Sequence, residues 1–358
     1  MGLVESRFNL LQEALAAVPA GGFWGTSVKA LVVLLAVGIA SRMVYPTFAR
    51  PHDMTMPTQA PKHEFAEVNG LRLHYVTVGE GKLILFVHGF PEFWYEWKNQ
   101  LTEFGRDFRA VAPDLRGYNL SSKPSEIEAC AIPLLVEDLH RLREHLGAKR
   151  FILVGHDWGG VVAWFYALYH PENLEKLIII NAPHPGVFGR QLAENPEQQK
   201  ASQYMLMFRS PQAEEFLSAN NYAALEASVL APGLARGYFN GEDRRAYLDA
   251  WSQPGALTGG LNYYRAARVG PPANDAAPSG DAAAPPPLPP GLSSLEVRVP
   301  TLVIWGEKDP FLLPGNLDGL EEFVPDLTVK RVPDAGHWIV HEKPDLVNAT
   351  IRDFIQGR

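Results

Sequence analysis

Four short apolar runs, "LILFVHGFP", "RAVAPDLRG", "FILVGHD" and "LEKLIIINAP", each stop abruptly at turn residues. Runs of this length without polar alternation need burial on both faces, which is the condition of central strands in a parallel sheet. The segment "LRLHYVTVG" alternates and ends in glycine, and the strand pattern resumes late in the chain at "TLVIWGEKDP" and "LTVKRVPDAGHW". Between these runs lie helical stretches such as "EFWYEWKNQLTEF" and "LLVEDLHRLREHLG", and the chain closes with the helical "PDLVNATIRDFIQG". Strands alternating with helices predict the α/β class, a mostly parallel sheet flanked by helices. The expected organisation is a core over residues 61–182 and 298–358, interrupted by a helical lid over 183–269 and a Pro/Ala-rich insert over 270–297. That insert, "GPPANDAAPSGDAAAPPPLPPGLSS", reads as a flexible surface excursion.

A chain of 358 residues can bury a large core. Its net charge of -8, with no basic run after the first fifty residues, argues against a nucleic-acid surface. The single cysteine, Cys130, excludes an intrachain disulfide framework and a thiolate zinc cluster. Small molecules are the expected partners, with no metal, no organic cofactor and no obligate protein partner.

Residues 1–60 form a separate N-terminal segment with a proline-bearing linker from Pro46 to Pro61. The apolar "ALVVLLAVGIAS" lies between Lys29 and Arg42. Its ~12 residues make ~18 Å of helix, too short for a hydrocarbon core of ~30 Å. With Lys29 and Arg42 snorkelling, a span from Phe23 to Tyr45 gives ~35 Å of helix with aromatic residues at both interfaces, enough to cross. A buried core helix or a signal-peptide core is the alternative, but the acid-containing stretch ahead of it is a poor signal n-region. The expectation is one retained single-pass anchor. Arg42, Arg50 and Lys62 after the span against Arg7 and Lys29 before it place the following domain on the cytosolic side.

The stretch "GHDWGG", Gly155 to Gly160, has the outline of a strand, a tight turn and a helix. It matches the G-x-S-x-G nucleophile elbow, in which the central side chain is held out at the sheet's C-terminal edge, with Asp157 where serine is usual. The competing reading is that Asp157 simply caps the helix beginning at Trp158. "HGFP", His88 to Pro91, follows another strand and can supply the Phe90 backbone N–H beside the elbow. Asp309 in "WGEKDP" and His337 in "DAGHW" follow later strands, in the chain order nucleophile, acid, histidine.

On "HGFPEFWYEW", "DLRGY", "GHDWGG", "WSQPGALTGGLNYYR", "LVIWGEKD" and "GHW", the chain from Phe65 to Ile355 resembles the epoxide hydrolases of the α/β-hydrolase fold, most closely the membrane-associated epoxide hydrolase 3 and 4 type. The resemblance implies Asp157 as nucleophile, His337 as base, Asp309 as its orienting acid, and two lid tyrosines, Tyr204 and Tyr264, as proton donors. It also implies an apolar epoxide such as an epoxidised fatty acid as substrate, a role in lipid metabolism, and the endoplasmic reticulum membrane as location. The family usually has glycine after "DLRGY"; Asn119 stands there, and asparagine tolerates a left-handed backbone.

The chemistry accounts for the aspartate. An epoxide carbon has no carbonyl to add to, so a carboxylate displaces the ring oxygen and leaves an ester, whereas serine would leave a stable ether. Phenols can protonate the departing alkoxide. Water activated by His337 then attacks the ester carbonyl, and the backbone N–H groups of Phe90 and Trp158 form the oxyanion hole. A haloalkane or haloacid dehalogenase uses the same Asp nucleophile but stabilises halide with N–H donors; Trp158 serves either scheme, and "NYYR" favours the epoxide. A fluoroacetate enzyme would carry an arginine where this chain has Trp158. The third alternative is a membrane-tethered binding protein that kept the fold and lost activity.

Overall fold

The computed structural model describes residues 60–272 and 292–358. Eight strands form one sheet in the order β1-β2-β4-β3-β5-β6-β7-β8. They are β1 (Lys62–Val68), β2 (Leu71–Val78), β3 (Leu83–Val87), β4 (Arg109–Pro113), β5 (Phe151–His156), β6 (Leu174–Ile180), β7 (Thr301–Gly306) and β8 (Leu327–Val332). The β1–β2 and β2–β4 pairs are antiparallel, and every pairing from β4 to β8 is parallel.

The central strands β3 and β5 are buried at every position, as the apolar "LILFV" and "FILV" that make up all of β3 and most of β5 require. Four helices cover the sheet: α1 (Lys98–Phe104), α2 (Ile132–His145), α3 (Trp158–Tyr169) and, near the C-terminus, α12 (Pro344–Gln356). Alternate strand residues Ile84, Phe86, Ile152, Val154, Ile178, Ile180, Leu302 and Ile304 join Trp97, Leu101 and Phe104 with Val347 and Ile351 in one apolar cluster. Burial of this kind is worth ~25 cal/mol per Å² of apolar surface and dominates the fold's stability. The stretch around "WYEW" forms a 3₁₀ turn, Trp94–Trp97, before α1 begins.

Between β6 and β7 the described residues form seven α-helices, α4 (Pro185–Glu194), α5 (Pro196–Ala201), α6 (Tyr204–Arg209), α7 (Ala213–Leu225), α8 (Ala231–Arg236), α9 (Gly241–Trp251) and α10 (Ala256–Ala267), with a π-helical turn at Glu226–Leu230 ahead of α8. Within α7 the backbone breaks at Ala219, and Asn220, Asn221 and Tyr222 are left-handed. A short helix α11 (Ile339–Glu342) precedes α12. Strand β1 was absent from the sequence reading; it is an edge strand with Lys62, His63, Glu64 and Glu67 outside the core, so its apolar signal is weak. Most of the Pro/Ala-rich insert, 273–291, and the proposed anchor, Phe23 to Tyr45, lie outside the described residues. Among the described residues no helix is long and apolar enough to cross a membrane.

Candidate active site

Asp157 sits between β5 and α3 with φ 49° and ψ -123°, a backbone conformation that L-residues adopt only under constraint. The turn is possible because its neighbours lack side chains. A Cβ on Gly159 would lie 2.1 Å from the Val87 carbonyl oxygen, and one on Gly89 would lie 2.3 Å from Asp157 Oδ1. Asp157 occupies the position of a helix cap, yet its side chain makes no capping hydrogen bond. Its Oδ1 accepts instead from the Phe90 backbone N–H at 2.8 Å. The Phe90–Pro91 peptide is cis. Trp158 opens α3, with its backbone N–H directly after the elbow residue.

His337, after β8, brings Nε2 to 3.7 Å from Asp157 Oδ2. On the other side of the ring, Nδ1 donates to Asp309 Oδ2 at 2.6 Å. Asp309, after β7, is fixed by four donors: Oδ1 accepts from the Phe311 and Leu312 backbone N–H groups at 2.8 and 2.9 Å, and Oδ2 accepts from His337 and from the Asn181 amide at 2.7 Å. Asn181 was not foreseen. Its Oδ1 accepts from the Gly306 N–H at 2.8 Å, so one side chain ties the ends of β6 and β7 to the acid. No local pattern marks an asparagine whose partner lies so far along the chain, and its φ of 39° belongs to the structure alone.

Tyr204 begins α6 and Tyr264 lies in α10; both are buried, with ring centroids 6.3 Å apart. Phe208 contacts both rings, at 5.2 Å and 5.1 Å, and also Phe90 at 5.2 Å. Trp158 packs edge-on against Tyr264 at 5.0 Å. Phe311 bridges Tyr204, at 5.3 Å, and His337, at 5.4 Å. Burial first, and then the Asp157 charge, pushes both phenols well above the ordinary tyrosine range. Both therefore stay protonated and able to donate across the working pH range. The site joins two carboxylates, the imidazole oriented between them and two neutral phenols under an aromatic cover.

Neighbouring candidates separate cleanly. Tyr263 turns the other way, its hydroxyl donating to the Arg116 carbonyl at 2.9 Å. His88 accepts from the Leu115 N–H and holds its own turn. Asp334 pairs with Lys343, and Glu307 with Arg331, on the surface. Trp97 is core, and Trp94 packs on His63. Asn119 is left-handed, φ 37°, and its amide donates to Asp114 at 2.9 Å.

Residues 82–344 match the α/β hydrolase fold family. Mouse epoxide hydrolase 4 is 35% identical over 345 residues, 92% of this chain and 90% of that protein. The AB hydrolase superfamily protein YfhM of Bacillus subtilis is 40% identical over 303 residues, 83% of this chain and 99% of that protein. The crystal structure of a Bacillus megaterium epoxide hydrolase with a bound inhibitor superposes with a TM-score of 0.75 at 40% identity, covering 82% of this chain and all of that one. With its sheet order and its nucleophile elbow, the chain belongs to the epoxide hydrolases of the α/β-hydrolase fold.

Proposed function

We propose that this epoxide hydrolase opens apolar epoxides, epoxidised fatty acids among them, through a covalent ester on Asp157. The observation that carries the reading is the pair of buried phenols, Tyr204 and Tyr264, held in one aromatic cluster within reach of the Asp157 charge. Asp157 attacks a ring carbon; the C–O bond breaks, its electron pair goes to the ring oxygen, and a phenol gives that oxygen a proton.

Hydrolysis returns the enzyme. His337 takes a proton from water, and the hydroxide adds to the ester carbonyl. The negative charge that develops on the former carboxylate oxygen is met by the Phe90 and Trp158 backbone N–H groups. Collapse releases the alkoxide, which leaves with the proton of the attacking hydroxyl, and the proton on His337 restores the phenol. The sum is epoxide plus water giving a vicinal diol. Asp309 keeps the imidazole in the tautomer that presents a bare Nε2 to water.

Single turnover with an epoxy fatty acid in ¹⁸O-water tests this. The first diol should carry unlabelled oxygen drawn from Asp157, and label in that first product would overturn the ester route. Release of halide from a haloalkane at a comparable rate would favour the dehalogenase alternative. We also propose that residues Phe23 to Tyr45 anchor the protein in the endoplasmic reticulum membrane with the folded domain in the cytosol. Extraction of the full-length chain by alkaline carbonate would sink that assignment.

A further inference from the structure

Behind the catalytic residues lies a second set of buried ionisable groups that the mechanism above does not use. His156, the last residue of β5, is fully buried. Its Nε2 is 3.0 Å from the backbone carbonyl oxygen of His337. A carbonyl can only accept, so Nε2 carries the hydrogen. Its Nδ1 lies 2.5 Å from Oε1 of Glu96, also fully buried, in the 3₁₀ turn that follows "HGFP". Among the described residues neither Glu96 oxygen nor this Nδ1 has a hydrogen-bond partner, so the two groups meet as a close contact off the line of a hydrogen bond.

A neutral imidazole donating from Nε2 is a bare acceptor at Nδ1. An ionised carboxylate 2.5 Å from a bare nitrogen would set two negative ends against each other in a dry interior, so the pair holds one proton. The surroundings place it on the glutamate. The neighbouring Glu92 is held below the ordinary carboxylate range: burial alone would raise it, but His341 and Tyr247 outweigh that, with the Tyr247 hydroxyl donating at 2.5 Å and His341 Nε2 at 3.1 Å. Burial, Glu92 and Asp157 push the Glu96 acid well above its usual range against the opposing His341 and His337. Burial pushes His156 down, against Asp157, Glu92 and Asp309.

We propose that Glu96 is a positioning residue for the hydrolytic half-reaction. Its carboxylic acid is packed against His156 Nδ1 and, through the hydrogen bond from His156 to the His337 carbonyl, holds the His337 backbone, so that the segments after β3 and β8 and the end of β5 set the 3.7 Å gap between His337 Nε2 and Asp157 Oδ2. That gap is where the attacking water must be deprotonated, and a base misplaced by about 1 Å costs on the order of 10² in rate. The inference rests on the proposed ester mechanism and names a residue that acts on its second step.

The test compares E96L and E96Q with wild-type protein under single-turnover conditions, following ester formation and ester decay separately. E96L should form the ester at the wild-type rate and hydrolyse it about 10- to 10²-fold more slowly. In the steady state kcat and KM then fall together. E96Q, whose uncharged amide keeps the size of the acid and an N–H beside Nδ1, should rescue most of the decay rate and keep the wild-type pH profile.

Three results overturn the assignment: unchanged ester decay in E96L, equal slowing of both steps, or a pH profile in E96Q displaced from wild type. The last would mean that an ionised Glu96 was lost from among Glu92, His341, Asp157, Asp309 and His337. Absence of ester in the wild-type enzyme strikes the Asp157 reading instead, and the ratio of E96L to wild-type turnover still reads the role of Glu96.

Discussion

The two halves of the site are held by different forces. Asp157, Asp309 and His337 follow strand ends, where backbone N–H groups, a strained turn and Asn181 fix the two carboxylates and Asp309 in turn orients His337. Tyr204 and Tyr264 stand on lid helices and are placed by ring packing on Phe208, Phe90, Trp158 and Phe311. Groups that carry or create charge need oriented dipoles that do not move during reaction. Neutral donors need only exclusion of water and approximate aim, which packing supplies. The division predicts different failures. His337→Gln should leave ester formation intact and slow its hydrolysis on the order of 10³- to 10⁴-fold, trapping an Asp157 adduct visible by intact mass. Tyr204→Phe with Tyr264→Phe should stop ring opening to about 10³-fold, with no adduct formed. An adduct in the tyrosine double mutant would break the division.

How much of this was legible follows the same line. The elbow turn could be read because its geometry demands glycines at fixed offsets from Asp157, and the nearness of Asp309 and His337 to it could be read because each lies in the loop after a strand of the same sheet. The tyrosines needed the whole motif "LNYYR", since nothing local separates Tyr264 from Tyr263; only the tertiary direction of each side chain does. Asn181 and Glu96 were illegible for a different reason. Their partners lie far along the chain, Asp309 for the first and His156 for the second, and no period or spacing marks such pairs. Strand β1 was missed because an edge strand need not look apolar.

Two glycines sharpen the comparison in stability rather than rate. A Cβ on Gly159 would meet backbone, the Val87 carbonyl oxygen at 2.1 Å, with nothing free to yield. A Cβ on Gly260, in α10, would meet the Phe90 ring at 2.7 Å, a side chain that can turn. Gly159→Ala should cost about 3 kcal/mol, the upper end for overpacking, and Gly260→Ala about 1 kcal/mol. Denaturant midpoints would measure both. Equal losses would mean that the lid is as rigidly specified as the elbow.

A pH-dependent effect lies where the two halves join. His184 caps α4 as the chain leaves β6, accepting from the Gly186 N–H at 3.2 Å on Nδ1 and donating from Nε2 to the Leu295 carbonyl at 3.1 Å. Burial lowers its pKa from 6.5 to about 4. The unfolded chain therefore takes up a proton below pH 6.5 that the folded chain refuses until pH 4. Its contribution to stability is present in full above 6.5 and is lost as pH falls towards 4. Between pH 7 and pH 5 this amounts to about 2 kcal/mol. His184→Asn keeps a capping acceptor but does not titrate, so its stability should fall less than wild type over the same interval. Charge gained at this join would loosen the lid's point of departure before it reaches the strand-end carboxylates. If the variant loses as much stability as wild type, the acid sensitivity belongs to the core, where burial also depresses His88 and His156.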